Sequence, residues 1–517
     1  MNSHLWYNIE DIVYQVFELL RVDVVYTSVR PEDATLCRQA LARSARSCKA
    51  FASPALTILW RSLPSDQPLL ELLYILGIVE SSSDYAPTAY NTGIGLSDTP
   101  INLPVLSVQE NVRAHPQWQH FLRHASHVRQ IRLDPFQSST GSAIWPEIAS
   151  FMDGIPVLPR LTSVYVTSIF SPLRGRVLSC HNLGCLALIH PSIRGLRLRL
   201  SRKGKVDEAL NRIMSHIATT VKILEYFRSM YSPAHLGNPG LLTHFTRIRH
   251  VTIDGDIHPS DLRDVAKLSG LRRLSIPLYT SLSSERLVSS SITDLHVEDP
   301  WNVLSGFLER ADLPQLRSLH ITTESSAKSP LWADASQLLH IVAAAFTTLE
   351  ILSIEWQDDC ARRVDAPIRA PYSAGRLADI TEPLLPLRAL REVSLEFRGY
   401  DLEYTSRDVQ ALSEAWPSLE ELRLNFRTAI GPRSGIESLT HLAHNCPQIR
   451  ILHLPGMDAA DDALTAAWTP AASHPTLHEL VIERVVFQGM DEAKMWQFIA
   501  RQFPKAARRA TVGPKNY

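Results

Sequence analysis

The sequence predicts an α/β solenoid in which short parallel strands alternate with outer helices. A six-residue pattern recurs along most of the chain: an apolar residue, two variable residues, leucine, one variable residue and a second apolar residue. The stretches between copies show helical patterning, and prolines such as Pro417 and Pro447 punctuate their ends. Each copy is too short to bury its apolar side alone, so neighbouring copies should stack into a curved parallel sheet.

Residues 1–63 are predicted to form three helices. Leu36, Ala40 and Leu41 give the second helix its apolar side. Ser53 and Pro54 predict the start of the third helix, because serine caps a helix and proline fits its first turn. The first helix has apolar residues at helical spacing, namely Ile9, Ile12, Val13, Val16, Phe17 and Leu20.

Residues 64–104 are predicted to form a connecting helix and a loop. Leu69–Val79 is an apolar stretch of about half a membrane span, which favours a buried helix. Residues 80–104 are rich in serine, proline and glycine and therefore predict the loop.

Residues 105–517 are predicted to form the solenoid. Its clear copies of the pattern are Leu271–Ile276, Leu316–Ile321, Leu349–Ile354, Leu419–Leu424, Ile449–Leu454 and Leu477–Ile482. Its other copies are Val128–Leu133, Leu161–Val166, Leu183–Leu188, Ile248–Ile253 and Ile292–Val297. Residues 193–230 fit less well: a strand is possible at Ile193–Leu200, and 206–229 predicts a helix.

Helices are clearest in the second half of the solenoid, at Asp408–Trp416 and Ile436–Cys446. Thr405 and Asp408 have the spacing of a capping box at the start of the first of these helices. The largest insertion between successive strands covers residues 358–386.

The N-terminal unit resembles an F-box, and the chain as a whole is similar to a large fungal group of F-box proteins with degenerate leucine-rich repeats. The F-box resemblance lies in His4–Trp6, Glu10–Val13, Val16–Leu20, Leu41–Phe51, Pro54–Leu56 and Leu59–Leu63. The resemblance to the group of F-box proteins with repeats continues through Trp118–Leu133, Tyr404–Leu424 and Ile436–Leu454. These segments include several copies of the repeated pattern.

The resemblance implies the substrate-recognition subunit of a Skp–cullin–F-box ubiquitin ligase. The F-box would bind the Skp-family adaptor, and through it a cullin, while the repeats would bind the target protein. A unit of about 60 residues buries little apolar surface by itself, which favours a partner for its apolar side chains. The expected adaptor-binding residues are Leu5, Ile12, Val16, Phe17, Leu20, Leu41, Phe51, Leu59 and Trp60.

The target is expected to bind the concave strand face in the C-terminal half. Side chains on either side of the central leucine point away from it, because side chains alternate along a strand. These positions form a mainly acidic stripe: Asp294, Glu298, Glu355, Glu392, Glu396, Glu421, Arg423, Glu479 and Glu483. The alternative is an ordinary solvated face; the acidic interpretation predicts that the target presents a basic segment.

Composition narrows the classes of function. The net charge of −1 gives no reason to expect nucleic acid or a membrane as a partner. The six cysteines are scattered without a CxxC pair, which fits an intracellular compartment. No signal peptide or glycosylation sequon is present, and an intracellular site in cytoplasm or nucleus is expected.

No catalytic or cofactor motif stands out, so a non-enzymatic protein without cofactors is expected. His120, His124 and His127 share one helical face and could bind a metal in principle, but packing or solvation explains them better. Cys180 and Cys185 lack the paired spacing of a zinc site. Two alternatives remain: a repeat scaffold whose F-box-like helices only cap the solenoid, and an enzyme with no visible catalytic group.

Overall fold

The chain forms an α/β fold of parallel strands flanked by helices, in two compact units, 1–255 and 256–517. This confirms the predicted α/β repeat architecture. The computed structural model describes residues 3–22, 31–81, 106–108, 112–133, 144–167, 180–199, 207–230, 240–255, 257–278, 286–325, 332–358, 372–427, 433–460, 474–489, 491–506 and 511–512. Most of the predicted loop at 80–104 lies outside these residues.

The first unit begins with three helices and continues into a parallel sheet. Its helices are α1 (Ser3–Glu18), α2 (Pro31–Ser47), α3 (Lys49–Arg61), α4 (Gln67–Ile75), α5 (Trp118–Ala125), α6 (Ile144–Phe151) and α7 (Asp207–Thr220). Its strands are β1 (Ser62–Leu63), β2 (Val79–Ser81), β3 (Leu106–Val108), β4 (Gln130–Leu133), β5 (Ser163–Thr167), β6 (Gly195–Arg199), β7 (Tyr226–Ser229) and β8 (His250–Ile253). The sheet order is β1-β4-β5-β6-β7-β8, and β2 pairs with β3 separately.

The second unit repeats the alternation of strand and helix. Its helices are α8 (Pro259–Ala266), α9 (Trp301–Arg310), α10 (Trp332–Ala345), α11 (Leu377–Thr381), α12 (Ser406–Ala415), α13 (Glu437–Asn445) and α14 (Glu492–Gln502). Its strands are β9 (Arg273–Pro277), β10 (Asp294–Glu298), β11 (Ser318–Ser325), β12 (Ile351–Asp358), β13 (Tyr372–Arg376), β14 (Glu392–Glu403), β15 (Glu421–Arg427), β16 (Ile451–Leu454), β17 (Met457–Ala460), β18 (Glu479–Ile482), β19 (Val485–Gln488) and β20 (Thr511–Val512).

The sheet of the second unit runs β9-β10-β11-β12-β14-β15-β16-β18-β20, with β13 added beside β14. The central leucines of the pattern lie in register, as in the pairs Leu295 with Leu319 and Leu319 with Leu352. These leucines are fully buried, so each adds about 1.5–3 kcal/mol of hydrophobic stabilisation that depends on the neighbouring repeats.

Two predictions in the first unit are wrong. Leu183–Leu188 is not a strand but part of a 3-10 helix, Cys180–Leu188, and the strand follows at β6. The predicted helix at 206–229 ends at Thr220, because 226–229 is strand β7. Leu224 and Phe227 are both fully buried there, so phenylalanine takes the place of the central leucine and hides the pattern.

The third N-terminal helix also starts earlier than predicted. It begins at Lys49, and Pro54 lies inside it. The predicted capping box at Thr405 is confirmed, since the Thr405 backbone N–H donates to Asp408 Oδ2 at 2.6 Å. The buried helix predicted within Leu69–Val79 is α4, with Leu69, Leu70 and Leu73 buried.

Candidate functional site

The three N-terminal helices pack around a small apolar core. Phe17, Leu41, Ala55 and Ile58 form this core, and Val13, Tyr14, Leu20, Ala45 and Leu59 pack against it. Phe17 is only 7% exposed and Leu41 only 2%. Of the expected adaptor-binding residues, these two lie in the core of the unit and have little surface to offer a partner.

A second apolar stripe, on α1 and the turn that follows it, faces solvent. Ile12, Val16 and Leu19 recur at helical spacing and are 58%, 53% and 85% exposed. We call these three residues the α1 stripe. Such exposure on a helix whose other face already packs on a core is typical of an interaction surface. Ile12 and Val16 are among the expected adaptor-binding residues but Leu19 is not, although its spacing of three residues from Val16 places it on the same helical face.

Of the remaining expected adaptor residues, some are exposed and others pack against the core. Phe51 is 37% exposed, and its ring contacts Phe17 edge-on at 5.6 Å between centroids. Leu20 and Leu59 are half-buried against the core. The side chain of Leu5 lies outside the described residues. Leu36 on α2, which sequence reasoning did not select, is 62% exposed.

Trp60 does not stand out from the surface but packs on the first repeat. Its half-buried ring lies 5.0 Å from the His124 ring on α5. Burial lowers the pKa of His124, and the neighbouring His120 and His127 lower it further. This packing accounts for His124. Within the described ranges, no group of three or more His, Cys, Asp and Glu residues could hold a metal ion.

The helical unit is joined to the sheet through its last residues. β1 follows α3 directly and pairs in parallel with β4. The Arg129 backbone N–H donates to the Arg61 carbonyl at 2.9 Å, and Ser62 Oγ donates to Gln130 Oε1 at 3.3 Å. The three helices therefore cover the start of the first unit's sheet.

The expected target-binding residues lie on the polar face of the second unit's sheet, in two rows. Across the strands, Asp294, Glu392, Glu421 and Glu479 share one register level. Glu298, Glu355 and Glu396 share a second level, four residues further along the strands. We call this surface the acidic strand face. Glu483 lies beyond the end of β18, outside both rows.

Between the two acidic rows runs a lane of histidine, serine and arginine side chains. His296 contacts Ser275 Oγ through Nδ1 at 3.3 Å and Thr322 Oγ1 through Nε2 at 3.1 Å. His320 Nε2 lies 2.9 Å from Ser318 Oγ. Burial lowers the pKa of His296, and His320 lowers it further, so His296 adds little positive charge to this lane.

Part of the acidic charge is paired within the face. Arg273 Nε donates to Asp294 Oδ2 at 2.9 Å, and His453 Nε2 lies 2.7 Å from Glu479 Oε1. Arg423 bonds to Glu421. In the middle of the face, Glu392 is exposed, and its pKa is raised by partial burial and then by the carboxylates of Glu421 and Glu420. Negative charge is thus most concentrated around Glu392.

Comparison with known proteins gives no family assignment. No family model matches the chain, and no curated protein matches it. The solved structures that resemble it weakly include a protein of Bacteroides fragilis and the yeast Rad7–Elc1 complex.

The two similarities differ mainly in coverage. The Bacteroides protein has 9% identity and a TM-score of 0.26, covering 74% of this chain and 86% of that one. The chain from the Rad7–Elc1 structure has 14% identity and a TM-score of 0.28, covering 90% of this chain and 100% of that one. At such scores neither neighbour shows what this protein does. In the described part of the chain, no helix is long and apolar enough to cross a membrane.

Proposed function

We propose that this protein is a non-catalytic substrate receptor of a Skp–cullin–F-box type ubiquitin ligase. In this proposal, the N-terminal helices bind a Skp-family adaptor and the strand face of the second unit binds the protein to be ubiquitinated. The proposal takes the F-box resemblance of the sequence as its starting point. It places the protein's activity inside the cell, where such ligases assemble.

The observation that carries the proposal is the α1 stripe. One face of α1 packs Phe17 on the core, while Ile12, Val16 and Leu19 stay exposed on another face. A helix of an isolated surface unit would be expected to place polar residues there. A helical partner that covers this stripe would bury apolar surface at roughly 25 cal/mol per Å².

One observation also favours the alternative in which the N-terminal helices only cap the end of the repeats. β1 extends the sheet directly from α3, and Trp60 packs on His124, so the helices protect the first strand of the repeats. Capping uses the α3 end of the unit, whereas the α1 stripe is a separate surface. The two roles are compatible, and only adaptor binding distinguishes a ligase receptor from a plain scaffold.

The test replaces two exposed residues of the α1 stripe and leaves the core residues unchanged. In the full-length chain, Ile12→Ser with Val16→Ser should abolish co-purification with a Skp-family adaptor, because two apolar contacts are lost from the centre of the interface. Truncation at such central positions typically costs about 2 kcal/mol or more each. Thermal melting should stay close to that of the parent, since both side chains are already exposed.

The chain provides a matched control for this test. Ile155 and Val288 are an isoleucine and a valine that are 56% and 45% exposed elsewhere on the surface. Ile155→Ser with Val288→Ser should leave adaptor capture unchanged. A parent chain that captures no Skp-family adaptor, or a stripe variant that captures it as well as the control, would favour the scaffold alternative.

A further inference from the structure

The polar face of the first unit's sheet carries the opposite charge to the acidic strand face. Strands β4, β5, β6, β7 and β8 contain no Asp or Glu. They contain four arginines: Arg132, Arg197, Arg199 and Arg228. Arg132, Arg197 and Arg228 share one register level across the strands, with Tyr165 between the first two. We call these four arginines and Tyr165 the basic strand face.

Two of the arginines enclose one aromatic ring. The guanidinium carbon of Arg132 lies 5.7 Å from the centroid of the Tyr165 ring, and that of Arg197 lies 5.1 Å from it. Tyr165 is only 2% exposed, so its position is fixed by the sheet. Cation–π contacts at these distances hold both guanidinium groups in defined places.

Placing like charges at neighbouring register positions is unfavourable. Arg197 lies directly opposite Arg228, a pairing that opposes sheet stability. Asp254, just after β8, relieves part of this repulsion because Arg228 Nε donates to Asp254 Oδ2 at 2.9 Å. Arg199 at the end of β6 is exposed, and Arg132 and Arg197 are half-buried. The face therefore concentrates positive charge that remains reachable from solvent.

We propose that the basic strand face binds an extended acidic segment of another protein. Guanidinium groups pair with carboxylates through two parallel hydrogen bonds, so each held arginine can select one acidic side chain. Neighbouring strands lie about 4.8 Å apart, which puts the strand positions of Arg132 and Arg197 about 10 Å apart. A polyproline II segment repeats its side-chain direction every third residue, about 9 Å along its axis. An acidic residue at every third position would then fit both arginines.

The proposal is independent of adaptor binding and of the acidic strand face. It can be tested with the full-length chain and a fluorescein-labelled peptide, (Glu-Pro-Pro)4, by fluorescence anisotropy at about 50 mM and about 300 mM NaCl. We expect saturable binding that weakens at the higher salt concentration. Arg132→Glu with Arg197→Glu should weaken it about tenfold or more.

Two controls keep the result interpretable. Arg123→Glu with Lys222→Glu makes the same change in net charge at exposed positions outside the strand face, and should leave binding unchanged. Arg132→Gln with Arg197→Gln removes the charge without reversing it and should also weaken binding, while circular dichroism melting checks that each variant is folded. Absence of binding to the parent, or equal loss in the Arg123 and Lys222 variant, would overturn the proposal.

A peptide with its four Glu residues contiguous should bind more weakly, and equal binding would overturn the proposed spacing.

Discussion

At the scale of single residues, Ile12 and Phe17 show how neighbouring apolar side chains on α1 differ in role. Phe17 belongs to the core of the helical unit, whereas Ile12 is more than half exposed. Helical spacing in a sequence identifies apolar residues and their faces, but α1 has two apolar faces, and only tertiary packing decides which one is covered. For that reason the sequence predicted which residues of the N-terminal helices are apolar. It did not predict which of them lie in the core and which form the exposed α1 stripe.

Asp299 shows a different kind of residue-level constraint. It follows β10, and its Oδ2 atom is buried without a hydrogen-bond partner in the described part of the chain. Burial, and then the carboxylate of Glu298, raises the pKa of Asp299 to about 6. The folded protein therefore keeps this proton at pH values where the unfolded chain, with a pKa near 3.9, has lost it. Stability from this group is lost as the pH rises from about 4 through about 6.

Replacement of Asp299 should therefore stabilise the protein in a pH-dependent way. Asp299→Asn removes an ionised carboxylate that is unfavourable in the folded state above pH 6. After allowance for solvent screening, we expect a gain of about 1 kcal/mol at pH 8 and almost none near pH 4, measured by urea unfolding. Asp312→Asn, at an exposed position paired with Arg286, should change stability by less than about 0.5 kcal/mol at either pH. Equal effects of Asp299→Asn at both pH values would contradict this account.

At the scale of elements, the residues just before β11, β12, β14, β15 and β16 form a charged ladder. Arg317 pairs with Glu350 at 3.1 Å, Arg391 Nε donates to Glu420 at 2.8 Å, and Arg450 lies 3.7 Å from the same Glu420. Alternating signs at one register level favour the observed strand pairing over a shifted one, because a slip by one residue would separate the opposite charges and turn the buried side chains away from the core. The leucine pattern does not include these charged positions, so it did not predict the ladder.

One of the helices opposite the strands, α12, begins with a local capping signal. At α12, Thr405 and Asp408 form the predicted capping box, which satisfies a backbone N–H at the start of the helix. Asp408→Ala should destabilise the protein by about 1 kcal/mol in urea unfolding. Glu414→Ala, an exposed substitution near the other end of the same helix, should have little effect, because a negative charge near a C-terminus is unfavourable to the helix dipole. A larger loss for Glu414→Ala than for Asp408→Ala would show that capping is not what limits this helix.

At the scale of the whole molecule, repetition explains both what could be predicted and what could not. At Leu274 and Leu422, where leucine holds the central position, the strand and its neighbours followed from the sequence. At Phe227 the pattern was obscured by a different apolar residue, and at Leu183–Leu188 it was matched by a 3-10 helix instead. A repeat fold tolerates such changes because each strand needs only a buried apolar side chain of suitable size beside its neighbours.

The charge of the polar sheet faces is the other molecule-wide property. The second unit collects carboxylates at two register levels, while strands β4 to β8 of the first unit carry arginines and no carboxylates. Sequence spacing predicted the acidic positions because alternation in a strand is strict. It could not show that Arg273 and His453 pair with Asp294 and Glu479, since these pairs depend on the register between neighbouring strands.

If the acidic strand face binds a basic segment of the target, charge reversal around Glu392 should abolish that binding. Glu392→Lys with Glu396→Lys and Glu421→Lys replaces the region where carboxylates crowd one another most. We expect affinity for a labelled (Lys-Pro-Pro)4 peptide to fall about tenfold or more, with adaptor capture unchanged, because the α1 stripe is untouched. Binding by the parent should weaken with added salt.

The matched variant reverses three carboxylates on helical segments, Glu309, Glu382 and Glu414, all of them exposed. It changes the net charge of the protein by the same amount, so a loss confined to the strand-face variant identifies local charge complementarity rather than overall charge as the cause. Equal losses in the two variants, or basic-peptide binding that survives the strand-face reversal and does not respond to salt, would remove the acidic strand face as the target surface. A protein that binds the adaptor would then have to bind its target elsewhere on the repeats.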